Sequence, residues 1–159
     1  MSENELLTKI ANRLNKYVNT VEVILLALLF PVLLLQLFTS LPVFSIVMIL
    51  SSLLGILYFI IAFAQDENKP MSAIEFFFHK LSHIGFAIAI NGSIFTIMNI
   101  HGGRIMLFSA LLSMAASLLY LLFVKIKVPD TYSFSLRSFI RLIVLLSISI
   151  ILILFPDII

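Results

Sequence analysis

The sequence has no cysteine and few charged residues, and each shortage excludes a set of functions. Without a thiol, the chain cannot form a disulfide, bind an iron-sulfur cluster through thiolates or use thiol catalysis. Charged residues make up 11% of the chain, well below the roughly 25% typical of soluble domains. The net charge of +2 is small, and it gives no reason to expect nucleic-acid binding.

The sequence also lacks the motifs of common catalytic and nucleotide-binding sites. It has no HExxH zinc motif, no Gly-rich phosphate loop ahead of a helix, no Ser-His-Asp set and no paired aspartates. We therefore expect a protein that is not an enzyme and that binds no cofactor.

Hydrophobic residues are in excess, at 62% of the chain with a mean hydropathy of +1.19. They concentrate in five runs, at residues 21–38, 43–64, 84–100, 105–124 and 139–155. A bilayer core about 30 Å thick needs roughly 20 helical residues, and four of the runs reach or approach that length. We predict an all-α integral membrane protein in which residues 21–159 form one transmembrane domain. The last run is either a fifth, short span or an interfacial or re-entrant helix.

The outer loops between these runs are very short. Residues 39–42 join the first two runs, and residues 101–104 join the third and fourth. Loops of this length connect only antiparallel neighbours. We therefore predict two antiparallel transmembrane hairpins followed by the short fifth span.

The basic residues predict the orientation of the chain in the membrane. With a cytoplasmic N-terminus, nine of the ten Lys and Arg residues lie inside and only Arg104 lies outside. Inner loops of membrane proteins carry such an excess of positive charge. We predict a multi-pass inner-membrane protein with a cytoplasmic N-terminus. Its C-terminus is periplasmic if there are five spans.

Residues 1–20 have the pattern of an amphipathic helix. Apolar residues recur at helical spacing opposite Lys9, Arg13 and Lys16. The apolar positions are Leu6, Leu7, Ile10, Leu14, Val18 and Val21. We predict an interfacial helix on the cytoplasmic leaflet that anchors the first span. The alternative is a docking helix for a partner protein.

The third run is the most polar of the five. Its polar residues are Asn91, Ser93, Thr96 and Asn99, and small residues recur every four positions at Gly85, Ala89 and Ser93. One interpretation is a tight seam with the fourth helix, in which Asn91 forms a hydrogen bond to that helix. The other is that the four polar residues line a polar path or a ligand cleft.

Charged and basic residues near the ends of the spans give two further candidate sites. Glu22 and Arg141 lie near the cytoplasmic ends of the first and fifth runs. They either extend separately to the headgroups or form an ion pair across the bundle. His101 and Arg104, in the turn between the third and fourth runs, are a candidate contact for the outer headgroups.

Glu75, His79 and His83 recur every four residues and would share one face of a helix. This spacing suits a divalent metal, but Ser72 and Glu75 also form a capping-box pattern that employs the glutamate. We therefore predict no metal site and expect both histidines to lie in the interfacial zone.

Two segments resemble known membrane proteins. VMILSSLLGILYFIIAF, at residues 47–63, resembles the membrane hairpin of the Bacteroidota gliding-motility and type 9 secretion motor stator subunit. MNIHGGRIML, at residues 98–107, is similar to a turn in related small Bacteroidota membrane proteins. The resemblance covers residues 30–123 and implies a shared hairpin architecture and a bacterial inner membrane. The motor glutamate of that family falls at Leu54 here, so motor activity is not implied.

These observations predict a non-catalytic subunit or scaffold of a bacterial inner-membrane protein assembly. Its partners would be the lipid bilayer and either another membrane protein or further copies of the same chain. The alternative is a small oligomeric transporter or channel with a polar path along the third span.

Overall fold

The computed structural model describes residues 3–39, 43–64, 71–127 and 136–155. All regular structure in these ranges is α-helical, which confirms the all-α part of the predicted fold class. The five helices are α1 (Glu3–Phe38), α2 (Phe44–Ile61), α3 (Ala73–Ile97), α4 (Gly103–Lys127) and α5 (Leu136–Leu154).

Four of the helices, α1 to α4, are long and apolar enough to cross a membrane. The apolar part of α5, Ser138–Leu154, is shorter. Large hydrophobic side chains cover the outside of the bundle, with Phe30 65% exposed and Leu112 72% exposed. Helices with this length and this outer surface are those of a multi-pass membrane protein in contact with lipid.

The first helix is longer than the sequence pattern predicts. The pattern predicts a separate interfacial helix over residues 1–20, but α1 continues without a break from Glu3 to Phe38, through Pro31. At 1.5 Å per residue its 36 residues extend about 54 Å. Ala11 and Val18 are buried in the bundle's hydrophobic cluster, whereas Leu6 and Ile10 are exposed. One part of the predicted apolar face therefore packs against the bundle, and the rest is exposed on the surface.

The third helix begins at Ala73, well before the predicted third span at residue 84, because a capping box fixes its N-terminus. The Ser72 hydroxyl accepts a hydrogen bond from the Glu75 N–H at 3.2 Å. The Glu75 carboxylate accepts one from the Ser72 N–H at 2.8 Å. These two bonds confirm the predicted capping box and satisfy N–H groups that the helix itself leaves unpaired.

A seam of small residues brings α3 and α4 close together, and this is the most extensive helix contact in the structure. A Cβ added at Gly85 would lie 2.9 Å from Met114, and one at Gly92 would lie 3.0 Å from the Cβ of Met106. Ala89 and Ala110 are fully buried. Small residues allow helix backbones in a membrane to approach this closely.

A tight turn connects α3 to α4 and is built around Asn99. This residue has a φ of 53°, in the left-handed region. The Ile100 N–H donates to the Phe95 carbonyl at 2.7 Å, and the Asn99 N–H donates to the Thr96 carbonyl at 3.1 Å. This pair of bonds is the Schellman motif that ends many helices, and asparagine is one of the few residues besides glycine that tolerates its left-handed position.

The remaining contacts place α1 and α5 apart. Among the described residues, α1 packs on α2, α2 also packs on α3, and α5 packs on α3 and α4. No Cα atom of α1 lies within 8 Å of a Cα atom of α5 in these parts of the chain. Any direct contact between these two helices must therefore be made by long side chains.

Candidate functional site: a polar cluster inside the bundle

Polar and ionisable side chains from four helices meet inside the bundle. We call this group the polar cluster. Its members are Asn19 and Glu22 on α1, Tyr58 on α2, His79 and His83 on α3, and Arg141 on α5. Ionisable groups within membrane-spanning helices are energetically expensive and commonly mark functional sites.

Glu22 is the centre of the cluster and is only 8% exposed. It lies in the candidate membrane span Thr8–Gln36 of α1, near the start of the apolar run at residues 21–38. One carboxylate oxygen accepts hydrogen bonds from the Tyr58 hydroxyl and from Arg141 Nε, the latter at 2.9 Å. The other oxygen accepts one from Arg141 Nη2. Both oxygens are therefore satisfied within the protein.

Arg141, on α5, connects this helix to α1. Its guanidinium makes a bidentate ion pair with Glu22, and its Nη2 also donates to the Asn19 side-chain oxygen at 2.9 Å. The side chains of Arg141 and Glu22 are 17% and 11% exposed. The planar fork of arginine matches a carboxylate, so the pair neutralises two charges with good geometry. The sequence allowed either an ion pair across the bundle or separate extension of the two side chains to the headgroups. In the structure, Glu22 and Arg141 form the ion pair.

Tyr58 links the ion pair to the centre of the bundle. Tyr58 is only 2% exposed, and its ring packs edge-on against Phe86, with 5.5 Å between the ring centroids. The guanidinium carbon of Arg141 lies 6.0 Å from the Tyr58 ring centroid, within cation–π distance. The Tyr58 hydroxyl thus donates a hydrogen bond to Glu22, while the face of its ring lies against the guanidinium of Arg141.

The two histidines form the inner side of the cluster, and His83 is not in the interfacial position expected from the sequence. His83 is 3% exposed and its ring centroid lies 6.3 Å from that of Tyr58. Helical spacing brings the His79 and His83 rings together, 4.3 Å apart. His83 is buried because its face of α3 packs into the core around Phe86 and not toward headgroups.

Backbone carbonyls determine which ring nitrogens carry hydrogen. His79 Nε2 lies 3.3 Å from the carbonyl of Ile61, the last residue of α2. His83 Nδ1 lies 3.0 Å from the carbonyl of His79. A carbonyl oxygen can only accept, so both nitrogens are donors in these contacts. His79 therefore makes a second contact with a carbonyl at the end of α2 that also accepts a hydrogen bond from the Ala64 N–H at 2.9 Å.

The alternative metal site at Glu75, His79 and His83 does not form. Glu75 is engaged in the capping box at the start of α3. Within the described residues, no group of three or more potential metal-binding side chains comes together.

The polar residues of the third run are divided among separate places. Asn91 donates to the Ala87 carbonyl of its own helix at 3.0 Å and lies over Gly55 of α2. The expected hydrogen bond from Asn91 to α4 is therefore wrong, because this side of α3 faces α2. The Ser93 hydroxyl is buried and has no hydrogen-bond partner among the described residues.

Thr96 and Asn99 lie at the C-terminal end of α3. The Thr96 hydroxyl donates to the Gly92 carbonyl at 2.8 Å. Asn99 is exposed in the turn that ends the helix. The four polar residues therefore do not share one surface, and Asn99 has a capping position in the backbone.

The exposed residues His101 and Arg104 line an open cavity of about 330 Å³ beside this turn. Thr96 and Asn99 contribute to the same cavity. Their side chains are available to solvent or headgroups, at the opposite end of α3 from the capping box. A contact with headgroups remains a prediction for this pair.

Sequence reasoning assigned no role to Asn19 or Tyr58. Asn19 precedes Glu22 by three residues, which places both on one face of α1. Tyr58 lies near the end of α2 and Arg141 near the start of α5, so both are about one turn inside the bundle. Comparing polar residues by their depth in each span would have grouped Tyr58 with the ion pair.

Comparisons with known proteins give no relative: the chain matches no protein-family model, no curated protein and no solved structure.

Proposed function

We propose that this protein is a non-catalytic subunit or scaffold of a bacterial inner-membrane protein assembly. The observation that supports this most directly is the pairing of Glu22 with Arg141. These charges satisfy each other and join α1 to α5, two helices whose backbones do not touch. Charges arranged in this way hold helices together and leave no uncompensated charge facing lipid.

The proposed topology is two antiparallel transmembrane hairpins, α1–α2 and α3–α4, with α5 as a fifth, short span. The N-terminus lies in the cytoplasm and the C-terminus in the periplasm. The distribution of Lys and Arg supports this orientation, and the resemblance at residues 47–63 supports a bacterial inner membrane. From Glu22 to its first residue, α1 continues for about 28 Å. In this orientation that segment extends toward the cytoplasmic face as the interfacial or docking helix.

A second candidate function is a small oligomeric transporter or channel. The observation that favours it is the presence of His79 and His83 beside Tyr58 inside the bundle. Histidine can accept and release protons, and ionisable groups within spans occur in proton relays. The polar residues of α3 support this function less, because they lie in separate places.

The test is purification of the tagged protein from its native membrane in mild detergent, followed by mass spectrometry and reconstitution into liposomes. A subunit elutes with a stoichiometric membrane protein, and the liposomes show no proton or solute flux above empty controls. Arg141→Ala should reduce the yield of the complex, whereas Arg104→Ala, at the other end of the bundle, should not.

Recovery of the chain without a partner, together with flux that His83→Leu abolishes, would support the transporter and contradict the scaffold. His101→Leu is the matched control, because His101 is exposed and lies in the outer turn.

A further inference from the structure

A groove between α2 and α3 exposes polar groups to the lipid. Its volume is about 380 Å³. The residues that line it are Ser52, Gly55, Ile56, Phe59, Ala87, Ile88, Asn91, Phe95 and Met106. Apart from Ser52 and Asn91, the side chains that line it are apolar, so these two residues determine what the groove can recognise.

Asn91 and Ser52 have unused hydrogen-bonding capacity. Asn91 donates one hydrogen bond to Ala87, and its side-chain oxygen accepts none within the described residues. The Ser52 hydroxyl has no partner in the same part of the chain. By contrast, exposed Ser109 and Ser147 each donate to the carbonyl four residues earlier.

The groove lies deep in the membrane. Ser52 is the ninth of the 18 residues of α2, and therefore at the middle of the span. Water is scarce at this depth, and an amide or hydroxyl there must find its partner on protein. Gly55 has no side chain, and Asn91 occupies the space where a Cβ would lie, so the Asn91 amide is held against α2 at this depth.

We propose that a second copy of this chain covers the groove and forms a two-fold symmetric dimer through α2 and α3. A two-fold axis along the membrane normal keeps every residue at its own depth, so Ser52 and Asn91 meet the same residues of the partner copy. Amide and hydroxyl groups each contain a donor and an acceptor, so they can pair with themselves. A different protein would need matching polar groups at the same depth.

The first experiment uses the absence of native cysteine. Ser52→Cys and Ser109→Cys are each expressed in the full-length chain, and membranes are oxidised with copper-phenanthroline. Both serines are exposed on membrane-spanning helices, but Ser109 lies on α4, outside the groove. Ser52→Cys should form a disulfide-linked dimer and Ser109→Cys should not. Equal cross-linking of the two variants, or a Ser52→Cys adduct with a different protein, would overturn the proposal.

The second experiment measures dimerisation without a cross-link. Donor- and acceptor-labelled copies are reconstituted together, and energy transfer is followed as lipid dilutes the protein. Two Asn91 groups per dimer contribute membrane hydrogen bonds, so Asn91→Leu should weaken dimerisation by about tenfold. Ser52→Ala should weaken it less, and Ser109→Ala should have no effect.

Transfer that is absent at every dilution, or equally strong in Asn91→Leu and wild type, would contradict a dimer through this groove. Thermal unfolding of each variant shows whether it remains folded, and Ser52→Ala provides a test that adds no bulk. The dimer does not depend on the scaffold function. Copurification of a membrane partner tests that function separately, so either proposal can fail while the other stands.

Discussion

Two regions of this bundle hold helices together by different physical means. The polar cluster joins α1, α2, α3 and α5 through long side chains that carry charge or hydrogen bonds. The seam between α3 and α4 uses residues with almost no side chain, at Gly85, Ala89 and Gly92. In the cluster the backbones of α1 and α5 stay apart, whereas in the seam the two backbones are nearly in contact.

Because the polar cluster and the α3–α4 seam are held together differently, we expect them to respond differently to mutation. Hydrophobic burial provides little net attraction between helices in a bilayer, because lipid is as apolar as the protein. The seam therefore depends on shape, and added bulk should damage it. The cluster depends on complementary charge, and the loss of one partner should damage it more than the loss of both.

The largest effect should follow from Arg141→Ala. This change leaves Glu22 as an unpaired charge inside the bundle, and breaking a buried pair in this way costs about 3–5 kcal/mol. Unfolding by detergent titration in bicelles would measure the loss. Arg104→Ala, which removes an exposed charge, should shift the unfolding free energy little.

The double variant Glu22→Gln with Arg141→Met makes the same test sharper. It removes both charges and keeps an acceptor for Tyr58, so it should recover most of the stability lost in Arg141→Ala. A double variant as unstable as Arg141→Ala would mean that the unpaired charge of Glu22 is not what destabilises the single variant.

Gly92→Leu tests the seam and should have the next largest effect. A Cβ at this position would already lie 3.0 Å from Met106 and 3.2 Å from the backbone nitrogen of Leu107. A leucine must therefore force α3 and α4 apart, at a cost of about 1–3 kcal/mol. Ala27→Leu adds similar bulk at an exposed position on α1 and should be nearly neutral. Equal unfolding free energies for the two variants would show that the seam tolerates separation.

Tyr58→Phe removes one hydrogen bond from the cluster and keeps the ring that packs on Phe86. The expected loss is about 1 kcal/mol, because hydrogen bonds within membrane proteins are of that order. Tyr120→Phe is the matched control. Its ring stacks on Phe78 at 4.0 Å, and its hydroxyl makes no hydrogen bond within the described residues. A loss as large in the control as in Tyr58→Phe would assign no net stabilisation to the bond to Glu22.

The sequence predicted the helices far better than their rotation about their axes. Hydropathy defines spans because the bilayer demands about 20 apolar residues, and all five predicted runs lie largely within observed helices. It does not show which side of a span faces protein, because lipid-facing and protein-facing surfaces are both apolar. For this reason the sequence predicts that Asn91 faces α4, although it faces α2, and it does not predict the burial of His83 beside Tyr58.

Charged residues were more informative because few positions can satisfy them. Glu22 and Arg141 were identified as possible partners from their depth alone, and the structure places them in contact. The sequence pattern does not predict the full extent of α1 for a related reason. A change from mixed to apolar composition near residue 20 marks a change of surroundings, and the helical hydrogen bonds can continue through it.

Substitution of Asn99 by glycine should have the smallest effect on stability. It also tests whether Asn99 has only a structural role in the turn or a functional role as well. Its φ of 53° favours glycine, so Asn99→Gly should change stability by less than about 1 kcal/mol. Asn99→Leu should destabilise the turn, because a bulky side chain is strained in this region. If Asn99 only ends α3, complex formation or transport should be normal in Asn99→Gly. A folded Asn99→Gly variant that has lost either activity would show that the amide side chain itself is used, and would restore Asn99 to the candidate polar path.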